Sequence, residues 1–272
     1  RAKNSYYLVF AGANERHDWD YLTKLAPKDG SVQLQKITTQ MGVLVLAGPK
    51  SREVLQKLTD TDLSNDKFKW LTGKPINVGY AQAEALRVNF VGELGWELHH
   101  PIEMQNYIFD ELMKAGAEFD IKPFGIRAMD SMRLEKSYRL IPREMSIEYA
   151  ALESGLDRFV KLDKECDFVG KTALLDWQKR GFVNSFVTLE VHDVEDADAR
   201  GSEGLYKDGE LVGRATSGGF GFRVNKSLAL GLVQVAYGVE GTELEIEILG
   251  KRRRATVISE SAFDPDNAAL RS

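Results

Sequence analysis

Near residue 180 the chain changes character, and that change limits the folds open to it. Downstream the pattern is almost purely β, with strand-like runs at 185–191, 211–216, 228–235, 243–249 and 254–259. Asp208-Gly209 is a strong two-residue hairpin signal. Short strands separated by regular turn signals predict a small antiparallel barrel or sandwich over 181–272. Upstream, strands alternate with helices. An apolar run at 6–11 precedes a helix over 15–22, and a second run at 43–47 stops at Gly48-Pro49. Val54, Leu55 and Leu58 then recur at helical spacing. A strand is predicted over 85–91. An amphipathic helix is predicted over 102–115, with Ile102, Met104, Ile108, Leu112 and Met113 on its buried stripe. A last helix ends near Arg180-Gly181. The reading is α+β, with a helix-covered sheet over 1–180 and a β domain over 181–272.

Composition excludes several roles. The 272-residue chain carries a formal net charge of −5, which argues against coating nucleic acid. Its one basic cluster, Lys251-Arg252-Arg253-Arg254, reads as a solvated hairpin. Cys166 is the single cysteine, so there is no intramolecular disulfide, and its neighbours Glu165 and Asp167 disfavour a thiolate. A reducing compartment is compatible with this. No apolar run reaches the roughly twenty residues needed to span a bilayer, and no signal-peptide pattern is present. The start at Arg1, close to a strand-like run, suggests a fragment or a processed product. The four histidines, His17, His99, His100 and His192, lack ligand spacing, so no metal is expected. Phosphate-cradling loops and the Gly-x-Ser-x-Gly elbow are absent. Glycine-rich 216–222 reads as a tight connection between strands.

Two segments carry chemistry. Residues 89–98, Asn-Phe-Val-Gly-Glu-Leu-Gly-Trp-Glu-Leu, place Glu93 and Glu97 in an apolar, strand-like setting, where an unpaired carboxylate is costly. Glu97 either faces solvent or accepts paired N–H donors from a guanine-like or pterin ring. Trp96 and Phe90 stand near enough in sequence to wall such a ring. Glu93, flanked by Gly92 and followed by Gly95, reads more like a turn. The second segment, 125–135, is a helix start with Arg127 near the positive end of the dipole, where cations are usually avoided. Arg127, Asp130 and Arg133, spaced i, i+3 and i+6, are either ordinary surface ion pairs or a cationic partner for a planar ligand.

In order and spacing these segments resemble the aminomethyltransferase (T-protein) family of the glycine cleavage system. Gly92-Glu93-x-Gly95-Trp96-Glu97 looks like its Gly-Glu-x-Gly-(aromatic)-Glu signature. Arg127-x-x-Asp130-Ser131-x-Arg133-Leu134-Glu135 is similar to its helix motif, and Gly48-Pro49, Glu153-Ser154-Gly155-Leu156 and Asp167-Phe168-Val169-Gly170-Lys171 add further matches. Thr216-Ser217-Gly218-Gly219-Phe220-Gly221, Lys226-Ser227-x-Ala229-Leu230-Gly231 and Phe263-Asp264-Pro265-Asp266-Asn267 resemble the folate domain of dimethylglycine and sarcosine dehydrogenases.

The resemblance implies an aminomethyltransferase-like folate-binding fold, incomplete at its N-terminus, followed by the barrel. It implies tetrahydrofolate as cofactor, with the pterin held by Glu97 and Arg127 and flanked by Phe90 and Trp96. The reaction implied is one-carbon transfer from a small methylated or aminomethyl amine, giving 5,10-methylenetetrahydrofolate. FAD would belong to a flavin domain upstream of this chain. The family's catalytic aspartate falls upstream of Arg1, Ala11 stands where T-proteins often carry asparagine, and Ala268 stands opposite a tyrosine. The isolated fragment is therefore expected to be inactive. A stand-alone folate-dependent methyltransferase or demethylase and a non-catalytic folate-binding module are the alternatives. The compartment implied is the cytoplasm, or the mitochondrial matrix in a eukaryote. Neither nucleic acid nor membrane is an expected partner.

Overall fold

The computed structural model of the protein describes residues 3–272. The chain divides into two compact units, one up to Met41 and one from Gly42 to Ser272. In the first, α1 (Glu15–Leu25) carries Glu15 and Asp18 in its first turn and Lys24 in its last, the charge order its dipole favours. The run at 6–11, expected as a strand, is not one: Tyr6, Leu8, Val9 and Phe10 are all exposed. Strand propensity reports fit to a half-buried pleated surface, which this stretch lacks.

The second unit begins with a four-stranded sheet, in spatial order β1 (Met41–Ala47), β4 (Gly95–Pro101), β3 (Ala81–Leu86) and β2 (Gly73–Val78). A two-residue turn at Gly79-Tyr80 sets the β2–β3 register, Val78 opposite Ala81, and β3 continues onto β4 with Leu86 opposite Glu97. Helices α2 (Ser51–Gln56) and α3 (Gln105–Gly116) bury Val54, Leu55, Ile108 and Leu112 in one core with Ile76, Val78, Trp96 and Leu98. Gly95 lets β1 approach, since a Cβ there would lie 2.5 Å from the Leu46 carbonyl oxygen.

The strand expected over 85–91 stops at Leu86. Asn89 diverts the chain: its Oδ1 accepts the amides of Val91 (3.0 Å) and Gly92 (3.1 Å), and its Nδ2 donates to the Glu93 carbonyl at 2.6 Å. Local side-chain bonds of this kind outcompete a sheet ladder. The predicted helix over 102–115 starts three residues later than expected, and Ile102 is exposed rather than on the buried stripe.

Helices α4 (Ile126–Glu135) and α5 (Lys171–Arg180) precede a closed six-stranded barrel. Its strands are β5 (Asn184–Val191), β6 (Gly204–Lys207), β7 (Glu210–Gly221), β8 (Lys226–Gln234), β9 (Glu243–Ile248) and β10 (Lys251–Ile258), in the order β10-β5-β8-β7-β6-β9. Asp208 and Gly209 both take positive φ, 51° and 87°, as the predicted hairpin requires. A short α6 (Ala268–Arg271) follows. Glycine-rich 216–222, expected as a connection, instead forms most of the second half of β7. Its glycines admit close neighbours: a Cβ on Gly218 would sit 2.5 Å from the Ala199 carbonyl oxygen, and one on Gly219 would meet Leu134 of α4.

Polar contacts then lock α4 to β7. Ser131 Oγ donates to the Phe220 carbonyl at 2.7 Å, and Arg133 Nη2 donates to Ser217 Oγ at 2.8 Å. Arg133 is buried, so the surface-pair reading of Asp130 and Arg133 is corrected: Arg133 Nε holds Asp130 at 2.7 Å while Nη1 faces the buried Glu144 at 3.5 Å. Among the described residues no helix is long and apolar enough to cross a membrane.

Candidate functional site

A cavity of about 730 Å³ opens in the second unit, bounded by β1, the start of α2, the 90–91 loop, β4, α3, the 119–125 segment and the first turn of α4. Its walls are mainly apolar. Val45, Leu46, Phe90, Val91, Phe109, Met113, Phe124, Ile126 and Met129 contribute most of them. The charged groups lining it are Glu97, Lys50, Asp120 and Lys122. Two of these are engaged with each other, Lys122 Nζ lying 2.8 Å from Asp120, and Lys50 pairs with exposed Glu53 at 3.1 Å.

Glu97 is the carboxylate projected from the sheet. Its side chain is about a quarter exposed, and Oε2 lies 3.1 Å from Nε2 of buried His99. No other hydrogen bond or ion pair to this carboxylate occurs among the described residues. The two residues alternate with Trp96 and Leu98, and successive strand side chains point to opposite faces. Glu97 and His99 therefore share one face, and Trp96 occupies the other.

Trp96, expected beside the ligand, packs into the core of the sheet. It is fully buried, edge-on to Phe68 with centroids 6.1 Å apart, and the guanidinium groups of Arg52 (5.9 Å) and Arg87 (5.8 Å) lie over its ring. Trp96 is not among the residues that line the cavity. Phe90 does line the cavity, and its ring stacks on Tyr138 with centroids 5.6 Å apart. Burial pushes the Tyr138 phenol up from its ordinary pKa. Arg127 is exposed on the first turn of α4 and is not part of the wall. The helix presents Ile126 and Met129 instead, and the residue after Ile126 is turned by about 100° from it. Arg127 thus stands outside the cavity lining, on the exposed side of the first turn of α4.

The loop bearing Phe90 is fixed from behind. Lys136 is fully buried, and its ammonium donates to the carbonyls of Phe263 (3.1 Å) and Asp264 (2.5 Å) and to Asn267 Oδ1 (3.0 Å). Its methylenes press on Gly92, which has φ +77°. Desolvation lowers the Lys136 pKa. Arg223, at the β7–β8 turn, holds Glu93 at 2.8 Å, pairs with buried Glu135, and lies 3.9 Å over the Phe263 ring. The turn reading of Glu93 agrees with its position here. Sequence reasoning missed His99 as a partner of Glu97. The signal was their i, i+2 spacing on a strand.

The GCVT N-terminal domain model matches residues 1–164, and the glycine cleavage T-protein C-terminal barrel domain model matches residues 184–264. The chain belongs to the glycine cleavage T-protein family. Within it, the chain is 40% identical over 261 residues to human mitochondrial dimethylglycine dehydrogenase, covering 96% of this chain and 30% of that protein. It is 34% identical to mouse mitochondrial sarcosine dehydrogenase, again covering 30% of the relative. An aminomethyltransferase from Thermoanaerobacter sp. (strain X514) is 32% identical and is covered over 69% of its length. Among solved T-protein structures, the glycine cleavage system aminomethyltransferase T from Bartonella henselae superposes with a TM-score of 0.78 at 26% identity, over 93% of this chain and 66% of that one. The chain thus spans under a third of the dehydrogenases it matches. Among the described residues no group of three or more His, Cys, Asp or Glu side chains is placed to hold a metal ion.

Proposed function

We propose that this chain binds tetrahydrofolate in the Glu97 cavity and serves one-carbon transfer from a small methylated or aminomethyl amine. The observation that carries this reading is Glu97 itself, a carboxylate with one oxygen left for a ligand, facing an apolar and partly aromatic cavity of about 730 Å³. Cavities of this size and lining suit a flat, mostly apolar ligand oriented by a few polar groups. The residues fit the cofactor on its own chemistry. Glu97 accepts the paired N–H donors of the pterin, a two-point contact that fixes orientation as well as affinity. Phe90, backed by Tyr138, walls the ring, and Arg127, exposed on the first turn of α4, supplies a cation at the rim. When bound, tetrahydrofolate supplies the amine nitrogens that take up the one-carbon unit, giving 5,10-methylenetetrahydrofolate. The chain's own residues bind, orient and exclude water.

For function we divide the chain into a folate-binding part, 1–180, and the barrel, 181–272. We assign it to a larger dehydrogenase-like enzyme with an upstream FAD domain, located in the mitochondrial matrix if eukaryotic and in the cytoplasm otherwise. Similarity to aminomethyltransferases favours a second reading, a stand-alone folate-dependent transferase. Absence of flavin absorbance from the complete protein would select it.

Calorimetric titration of the complete protein with tetrahydrofolate under reducing conditions tests the reading. Saturable one-site binding is expected, weakened about 10- to 100-fold by Glu97→Gln. Glu93→Gln, at a residue engaged by Arg223, should leave affinity within a few-fold. Equal effects of the two changes refute the assignment.

A further inference from the structure

We infer that His99 is the positioning residue of the ligand site: it fixes one oxygen of Glu97 and thereby sets the cavity's selectivity for a ligand with paired N–H donors. This rests on the folate reading above. His99 is 1% exposed, and its Nε2 lies 3.1 Å from Glu97 Oε2. The i, i+2 spacing on β4 places both side chains on one face. An ionised carboxylate only accepts, so the Nε2 position carries the proton. The choice of partner matters chemically. A guanidinium presents a two-point fork that would occupy both carboxylate oxygens and compete with the ligand for them. A single imidazole N–H occupies one lone pair, holds the rotamer, and leaves Oε1 and the second lone pair of Oε2 for the ligand. Among the described residues no lysine or arginine pairs with Glu97, and Arg127 is turned out of the wall. His99 thus gives the carboxylate a fixed direction before the ligand arrives, the preorganisation that binding groups need.

The test compares tetrahydrofolate with its analogue lacking the 2-amino group, using the complete protein. Wild type should prefer tetrahydrofolate by ~10-fold or more. His99→Leu should abolish most of that preference while leaving the affinity for the 2-desamino analogue within about twofold. His99→Gln, which keeps a side-chain N–H, should retain the preference. A His99→Leu protein that keeps the preference, or that loses both ligands equally, overturns the inference. If Glu97→Gln abolishes the preference and His99→Leu does not, only the positioning role fails. If neither change alters it, the folate reading of this cavity fails as well. An independent readout needs no variant. Nitrogen-15 spectra of the imidazoles should show His99 protonated at Nε2 both free and with tetrahydrofolate bound, and an Nδ1–H tautomer would overturn the proposal.

Discussion

Replacing Gly92 by alanine isolates how tightly the Phe90 loop is held. Two costs combine. The backbone sits at φ +77°, where an L side chain costs about 1–2 kcal/mol. The new Cβ would also lie 2.3 Å from Lys136 Cγ and 2.7 Å from its Cδ. These methylenes cannot swing aside, because the ammonium beyond them is held by three oxygens and the side chain is buried. Overpacking of this sort adds about 1–3 kcal/mol, giving roughly 2–5 kcal/mol in all. The matched control is Gly209→Ala. Gly209 has φ +87° with nothing within 4 Å of an added Cβ, so it should cost only the backbone part. Denaturant unfolding of both variants, scored as a change in midpoint at constant slope, reads the difference. At about 2–4 °C per kcal/mol, Gly92→Ala should also melt several degrees below the control. Equal destabilisation of the two variants would show that Lys136 does not brace the loop.

Trp96→Phe should destabilise by about 1–3 kcal/mol through lost core volume, yet leave tetrahydrofolate affinity unchanged in calorimetry. A large loss of affinity at intact stability would return Trp96 to the ligand wall. Arg133→Met leaves buried Glu144 without its cation, though still accepting from Leu140 and Thr216, and denaturant unfolding should report a loss of about 3 kcal/mol or more, with much of it recovered when Glu144 is also made apolar. Lys136 gives an alkaline signature. Its folded pKa lies below the ordinary value of 10.5, with burial as the leading cause, so between the two the unfolded chain binds more protons. Stability from this group therefore rises with pH across that window. Tyr138 runs the other way above pH 10.0, its ordinary value, because its folded pKa is raised. Unfolding free energies measured from pH 8 upward should lose the rising component in Lys136→Met, and an unchanged profile would refute the assignment.

Much of the architecture was legible because it is periodic. The strand turn at Asp208-Gly209 and the helical spacing of Val54 and Leu55 are local signals, and each lies where its chemistry predicts. What escaped prediction depended on partners distant in sequence or on competition between bonds. Strand β6 has only four residues, too few for an alternation to register. The run at 85–91 has strand composition, but Asn89 takes the backbone amides that a ladder would need. Glu97 and Phe90, conspicuous as a charge and an aromatic in an apolar run, both line the cavity. Trp96 is next to Glu97 along the chain, yet its side chain is buried in the core and does not line the cavity. Arg127 was inferred from the anomaly of a cation at a helix start, and solvent exposure is enough to relieve that anomaly.

The contacts that brace the Phe90 loop also fix when the cavity can be completed during synthesis. Lys136 reaches Phe263, Asp264 and Asn267 across sequence separations of 127, 128 and 131 residues, and Arg223 reaches Glu93 across 130. Chains emerge from the ribosome at about 5–20 residues per second. The sheet and its helices thus have all their local partners many seconds before the barrel's turn and the 263–267 segment appear. Contacts of such high order form late. The ligand wall is therefore the last part of this unit to set, and a nascent chain interrupted before residue 263 carries Phe90 and Glu97 without the means to hold them in place.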